Sequence, residues 1–345
     1  MQLGRILFDH QAFLSNFDYF RSRSTGETGA VVKANGYGTG SSRASRLLRE
    51  AGCKHFFVAV LDEADAIKAN TSGEIYVLSG PTNSEDAERI ASQGYVPVLN
   101  SVLQVELWRP YRDRACALHI DTGMQRLGIA VGDCPNLVVD SFNLCLVMTH
   151  LACADVPEHS FNRDQIREFS RVLPFFPGAP TSIGNSAGIL NGEEFQGDVV
   201  RPGIGLYGGN PWKARPNPLR PVVTCEGMVL QIRRVHKGES VGYSASYVAQ
   251  EEIRVATVGL GYADGIPRSV SNRGECAFNG VRMPVVGHIS MDATQVDCSN
   301  CLELVEGDYV QFFGDTISVD EVAQTARTIP YEILTHLGNR YDYIE

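Results

Sequence analysis

Residues 30–40 read Ala-Val-Val-Lys-Ala-Asn-Gly-Tyr-Gly-Thr-Gly, and Lys33 within this string is the first candidate for chemistry. Three apolar residues run straight into it, and then Asn35, Gly36, Gly38 and Gly40 break the chain. An apolar run stopped by Gly and Asn reads as a short buried strand that ends in a turn. A lysine at that junction is partly desolvated, which disfavours its ammonium form and lowers its pKa. Such an amine can form a Schiff base or take up a proton. Tyr37 follows one turn later, among glycines that let backbone come close to a ligand. The plainer alternative is a strand whose terminal lysine reaches back to water along its aliphatic stem.

Other polar clusters also fall where apolar runs stop. These are His119, Asp121 and Arg126, then His150 and Asp155, Asn185 and Ser186, and Arg201 with Gly203. Taken singly, a His or Arg at a strand end is most often a structural hydrogen-bonding group. Their shared placement is what points to an enzyme. Gly203-Ile-Gly205-Leu-Tyr-Gly208 spells G-x-G-x-x-G, but Asn210-Pro211 follows where a dinucleotide-binding fold needs an amphipathic helix. A phosphate cradle built from glycine-freed N–H groups fits better. Cys298-Ser-Asn-Cys301 is a lone CxxC with no second pair and no His at ligand spacing, and it reads as an incidental surface loop.

The elements that must carry these residues alternate. Apolar runs occur at 29–33, 55–60, 75–79, 96–99, 116–120, 145–149, 180–183 and about 198–201, with helical patterns between most of them. Eight strands with alternating helices predict a (β/α)₈ TIM-like barrel, in which chemistry sits on the loops after the strands. Beyond Pro221 the texture changes to β-rich runs with the hairpin signal Asn279-Gly280, so a second, mainly β domain is expected. The expected division is a barrel over residues 8–218 and a β domain over 219–345, with residues 1–7 adding a strand to the latter and the Pro-rich stretch 210–221 as linker.

The bulk numbers narrow the function. The chain has 345 residues, is 43% hydrophobic and carries a formal charge of −10. An acidic chain has no electrostatic reason to bind nucleic acid or an anionic membrane. No apolar stretch approaches a membrane span, and the N-terminus lacks a signal-peptide core. Nine irregularly spaced cysteines suit free thiols in a reducing cytoplasm.

The string at 30–40 closely resembles the cofactor-lysine motif of the alanine racemases, which use pyridoxal phosphate. The resemblance continues in order through Asp121–Gly128, Met148–Asp155, Gly184–Gly188, Val200–Gly208, Val241–Val248, Gly261–Gly265 and Val286–Asp292. It implies that Lys33 carries the cofactor covalently and that Tyr37, Ser186 and the backbone of Gly203 and Ile204 hold its phosphate. It places His150 beside the pyridine ring and Arg201 against the ring nitrogen. Arg126 and the backbone N–H of Met291 then hold the substrate carboxylate, and Tyr262 lies near the substrate entrance. Tyr243 is implied as the second catalytic base, contributed by the partner subunit, so the active sites are shared in a homodimer. No metal is implied.

Three positions depart from the family pattern. His119 stands where many members have a lysine that becomes carbamylated, Ser182 where others have a histidine bonded to the arginine, and Asn339 near a phosphate-contacting tyrosine. The expected activity is racemisation of alanine by two bases, Lys33 and Tyr243, supplying D-alanine for peptidoglycan. The alternatives are a racemase of another or several amino acids such as serine, a related decarboxylase, or a non-catalytic carrier of pyridoxal phosphate. Arg201 argues against the decarboxylases, which typically place a carboxylate at the ring nitrogen. The Tyr243 and Met291 segments argue against the carrier.

Overall fold

The computed structural model describes residues 2–139 and 141–344, and it divides into two compact units. One unit comprises Leu14–Leu206 with Asn210–Leu219; the other takes the N-terminal residues through Phe13, then Tyr207–Gly209 and the chain from Arg220 onward.

The first unit is a closed parallel barrel. Its strands are Glu27–Thr28 continued by Ala30–Val31, then His55–Val58, Glu74–Val77, Val96–Leu99, Ala115–Asp121, Asn143–Met148, Thr181–Ser182 and Val199–Val200. Neighbours pair in parallel in that order, an Asn185–Arg201 bridge joins the seventh to the eighth, and Val199–Val200 pairs with Glu27–Thr28 to close the ring. Helices cover the outside of these strands, so both strand faces are buried. That is why they read as continuous apolar runs rather than alternating ones. Phe57, Tyr76, Val98, Ala117, Leu146 and Met148 form the core, with Phe57 and Tyr76 stacked at 4.6 Å. The helices start and stop on local signals. Asn83 caps Ser84–Gln93 by accepting the Asp86 N–H at 2.8 Å, and Gly94 ends it at a positive φ of 73°.

At the N-terminal rim of the barrel His55 lies between two carboxylates. Its Nε2 is 2.9 Å from Glu27 and its Nδ1 is 3.1 Å from Glu74. Burial opposes the imidazolium, but its N–H hydrogen bonds to the Glu74 and Glu27 carboxylates outweigh it and raise the His55 pKa. The stabilisation is therefore complete below the unfolded value of about 6.5 and is lost as pH rises through the raised folded value. His55→Gln is expected to lower the thermal midpoint by about 2–4 °C at pH 6, because pairing to half-exposed carboxylates is screened to about 1 kcal/mol. The gap to wild type should shrink at alkaline pH; a gap that widens there would contradict this account.

The second unit is a mixed sheet. Gly4–Phe8 lies between Val223–Val235, antiparallel, and Tyr341–Ile344, parallel. The long Val223–Val235 strand also pairs with Tyr309–Phe313 and Ile253–Val258. Glu275–Phe278 and Val281–Pro284 form the expected hairpin, with Asn279 and Gly280 at φ 49° and 80°.

Two details differ from the sequence reading. The stretch 210–219 is docked on the barrel rather than strung out as a linker. Trp212 donates to Asn191 at 2.8 Å, the Lys213 N–H donates to the Asp155 carbonyl at 3.0 Å, and Leu219 is buried. The CxxC is a surface turn, with Ser299 and Asn300 exposed, but its two thiols face inward. Cys298 and Cys301 are buried at the end of Thr294–Asp297, where the Cys298 thiol donates to the Arg254 carbonyl at 3.2 Å. All nine cysteines are free thiols. Among the described residues no cluster of His, Cys, Asp or Glu could hold a metal ion, and no helix is long and apolar enough to cross a membrane.

Candidate active site

The first strand delivers Lys33 into an unusual turn. Ala34, Asn35, Gly36, Tyr37 and Gly38 all take positive φ, at 52°, 52°, 62°, 54° and 81°. This is a left-handed turn, closed by Gly36 N–H to Val32 O at 2.9 Å and Gly38 N–H to Ala34 O at 2.8 Å. Left-handed geometry costs each residue with a Cβ about 1–2 kcal/mol. Strain of that kind persists only where the surroundings over-determine it. The half-buried Lys33 has its pKa lowered by burial first, then by Arg126 and Arg201, with Glu63 acting in the opposite direction.

Tyr37 is buried, and its hydroxyl reaches Gly203, where a Cβ would sit 2.2 Å from it. The Ser186 hydroxyl accepts the Gly203 N–H at 2.8 Å and the Gly205 N–H at 3.4 Å. Ser186 begins the helix Ser186–Asn191, which Asn185 caps by accepting the Gly188 N–H at 2.9 Å. Ile204, also buried, opens the 3₁₀ turn Ile204–Tyr207. Two hydroxyls and a backbone N–H thus converge in a cradle suited to an anion.

Arg201 is buried beside the cradle. It donates to Thr149 O at 2.7 Å, to Ile183 O at 3.4 Å and to the Ser182 hydroxyl, which itself donates to Val199 O. Ser182 therefore makes the bond to Arg201 that the resemblance assigns to a histidine. No carboxylate pairs with Arg201 among the described residues, and burial pulls its pKa down to about 9. It remains charged at neutral pH, and a buried cation of this kind gains from an acceptor brought by a ligand.

The two histidines are neutral. His150 has its pKa driven well below the usual value by burial and then by Arg201 and Arg126. His119 is lowered to about 4, by burial and then Arg201. Asn100 gives its amide N–H groups to Leu78 O at 2.9 Å and Val98 O at 2.8 Å, which leaves its oxygen to face His119 Nδ1 at 2.8 Å. That bond assigns the proton to Nδ1. The loop carrying the exposed Arg126 is folded by Asp121, whose carboxylate accepts the Gly123 and Gln125 N–H groups at 2.8 and 3.2 Å.

Sequence reasoning missed three residues. Asn100 fixes His119, and Gln165, fully buried on the helix Ser160–Val172, donates to Thr122 Oγ1 at 3.2 Å and to His150 O at 3.0 Å. Glu63 accepts from Ala34 and Ala59. Of the three only Glu63, an acid in a helix's first turn, leaves a local trace. The structure gathers Lys33, Tyr37, Arg126, His150, Ser186, Arg201, Gly203 and Ile204 on loops at the C-terminal ends of the barrel strands.

Tyr243 and Met291 belong to the other unit. Tyr243 is 69% exposed on a turn in which Gly242, Ser244 and Ala245 take φ of 72°, 60° and 46°. Met291 is 53% exposed and lies beside Tyr262, with Ala263 N–H bonded to Met291 O at 3.0 Å.

A closed (β/α)₈ barrel with a half-buried lysine at the end of strand one and an anion cradle after strands seven and eight, joined to a mainly β unit, defines a lysine-bearing barrel enzyme class. The chain belongs to the alanine racemase family: residues 8–211 match the alanine racemase N-terminal domain and 222–344 the C-terminal domain. It is 44% identical to an alanine racemase of Methylobacterium nodulans, covering 99% of this chain and 96% of that one. It is 42% identical to a catabolic alanine racemase of Agrobacterium fabrum, covering 91% and 84%. The crystal structure of the Bartonella henselae alanine racemase, with covalently bound pyridoxal phosphate, superposes with a TM-score of 0.93 at 37% identity, over 100% of this chain and 99% of that one.

Proposed function

We propose that this protein is a pyridoxal phosphate-dependent isomerase that interconverts L- and D-alanine, working as a homodimer in the cytoplasm. The observation that carries the reading is the meeting of the Tyr37 hydroxyl, the Ser186 hydroxyl and the Gly203 N–H one turn from Lys33. The residues present fit the cofactor. Lys33 would hold it covalently, the cradle with Ile204 would take its phosphate, His150 would lie beside its ring and Arg201 would face the ring nitrogen. When bound, the conjugated ring acidifies the Cα proton of an attached amino acid.

The chain's own residues then decide the outcome. Lys33, its pKa lowered, takes the proton on the D-alanine face, and Tyr243 of the partner subunit takes it on the L-alanine face. Arg126 and the Met291 N–H hold the carboxylate. Arg201 can only donate, so it would leave the ring nitrogen unprotonated and restrain electron withdrawal, which would favour reprotonation over side reactions. In a bacterial cell the D-alanine would supply peptidoglycan. The curated relatives named alanine racemase support the reading, and the free thiols suit the compartment.

The test is proton NMR of the loaded protein with L-alanine in D₂O, with chiral analysis. Loss of the Cα proton with appearance of D-alanine is expected, and absence of exchange with cofactor bound would refute the reading. Gly203→Ala places a methyl against the buried Tyr37 and is expected to weaken pyridoxal phosphate binding about tenfold or more, equivalent to ~1.4 kcal/mol. Absorbance titration would measure it; an unchanged affinity would remove Gly203 from the cradle.

A further inference from the structure

The β-ladder between the first two barrel strands stops abruptly at Lys33. Val32 N–H bonds Phe57 O at 2.9 Å as a regular rung. In an unbroken parallel ladder the next rungs would run from Ala59 N–H to Val32 O and from Ala34 N–H to Ala59 O. Neither forms. Val32 O takes the Gly36 N–H of the left-handed turn, and Ala59 O takes Ser79 N–H at 2.9 Å. The two orphaned donors both go to one carboxylate: Ala34 N–H to Glu63 Oε1 at 2.6 Å and Ala59 N–H to Glu63 Oε2 at 2.7 Å.

We propose that Glu63 is a positioning residue for Lys33, its two oxygens replacing the two rungs that would otherwise draw residues 33 and 34 into the sheet. Bonds from backbone N–H to an ionised oxygen are stronger than the neutral rungs they displace. They offset the strain of Ala34 at φ 52° and leave the Lys33 side chain at the barrel mouth instead of in the ladder. Glu63 sits in the first turn of Leu61–Lys68, a helix packed on the turn, so its carboxylate has a fixed base. The charged and titratable groups facing Lys33 are Glu63, Arg126, Arg201 and His150, and of these Glu63 alone is an anion. The role of Lys33 as the reactive amine rests on the function proposed above; the brace itself does not.

The experiment uses the full chain. Lys33 labelling by reductive methylation is followed against pH by peptide mass, without cofactor, with exposed Lys237 as control. Turnover is measured on the loaded protein. Glu63→Gln keeps the size but supplies one acceptor and no charge. It should move the half-labelling pH of Lys33 downward and lower kcat about tenfold to a hundredfold with KM within about threefold. Glu63→Asp retains charge but is too short to bridge both donors, so it should lower kcat with less change in the labelling profile. A folded Glu63→Gln with wild-type labelling and kcat overturns the proposal. Should Glu63→Gln not fold, Ala34→Gly added to it removes the strain at residue 34. Restored folding with the labelling shift still present supports the brace, and restored folding with a wild-type profile overturns it. If wild type binds cofactor yet exchanges no alanine proton, the proposed function fails while the labelling arms still decide the role of Glu63.

Discussion

Lys33→Ala should leave a folded protein that no longer holds pyridoxal phosphate covalently and whose racemisation falls by about 10⁴-fold or more. The fold should survive because the bonds that build the turn are backbone bonds. Val32 N–H to Phe57 O, Gly36 N–H to Val32 O and Gly38 N–H to Ala34 O do not involve the lysine side chain. Truncation also relieves the repulsion of Lys33 by Arg126 and Arg201, so the thermal midpoint without cofactor should not drop. Function should not survive, because on the proposed reading the substitution removes both the attachment point and one of the two bases. Borohydride reduction followed by peptide mass analysis reads attachment, and chiral chromatography reads turnover. A variant that keeps more than about 1% of wild-type turnover would show that the amine is not a base.

Tyr243→Phe is expected to keep the cofactor and lose about 10²- to 10⁴-fold in racemisation, the range for removal of a general acid–base group. The substitution costs the fold little. Tyr243 is 69% exposed, and among the described residues no hydrogen bond to its hydroxyl is seen. Exposed substitutions without partners usually stay within about 0.5 kcal/mol. Yet its turn carries two consecutive residues, Ser244 and Ala245, in the left-handed region. Strain of that sort in a surface turn points to a conformation kept for function. The informative readout is one-sided exchange. In D₂O the variant should still wash out the Cα proton of D-alanine, the face assigned to Lys33 in the proposed function, with little inversion, and should leave L-alanine almost untouched. Full inversion at the wild-type rate would eliminate the two-base arrangement.

The sequence by itself determined the barrel and the order of the polar clusters. Strands buried on both faces must be apolar throughout, so His55–Val58 and Val96–Leu99 announce themselves. Lys33, His150 and Arg201, which stop such runs, are legible for the same reason, whereas His119 lies inside the strand Ala115–Asp121. Two-residue strands such as Thr181–Ser182 carry too short a pattern to bound, and the alternating Thr294–Asp297 and the terminal Tyr341–Ile344 escaped notice.

Tertiary structure alone decided what those end residues do. The string Ala-Asn-Gly-Tyr-Gly reads locally as loop. It becomes a left-handed turn because Glu63, 29 positions from Ala34, takes the N–H that a ladder would have used. His119 is a neutral Nδ1–H tautomer because Asn100, on a neighbouring strand end, turns its oxygen toward it. Arg201 is a buried cation whose neighbours are carbonyls and a hydroxyl contributed by other strands. Periodicity records which face of an element is buried. The protonation, strain and charge of a group depend on which distant atoms the closed barrel sets against it, and only the folded chain brings those atoms together.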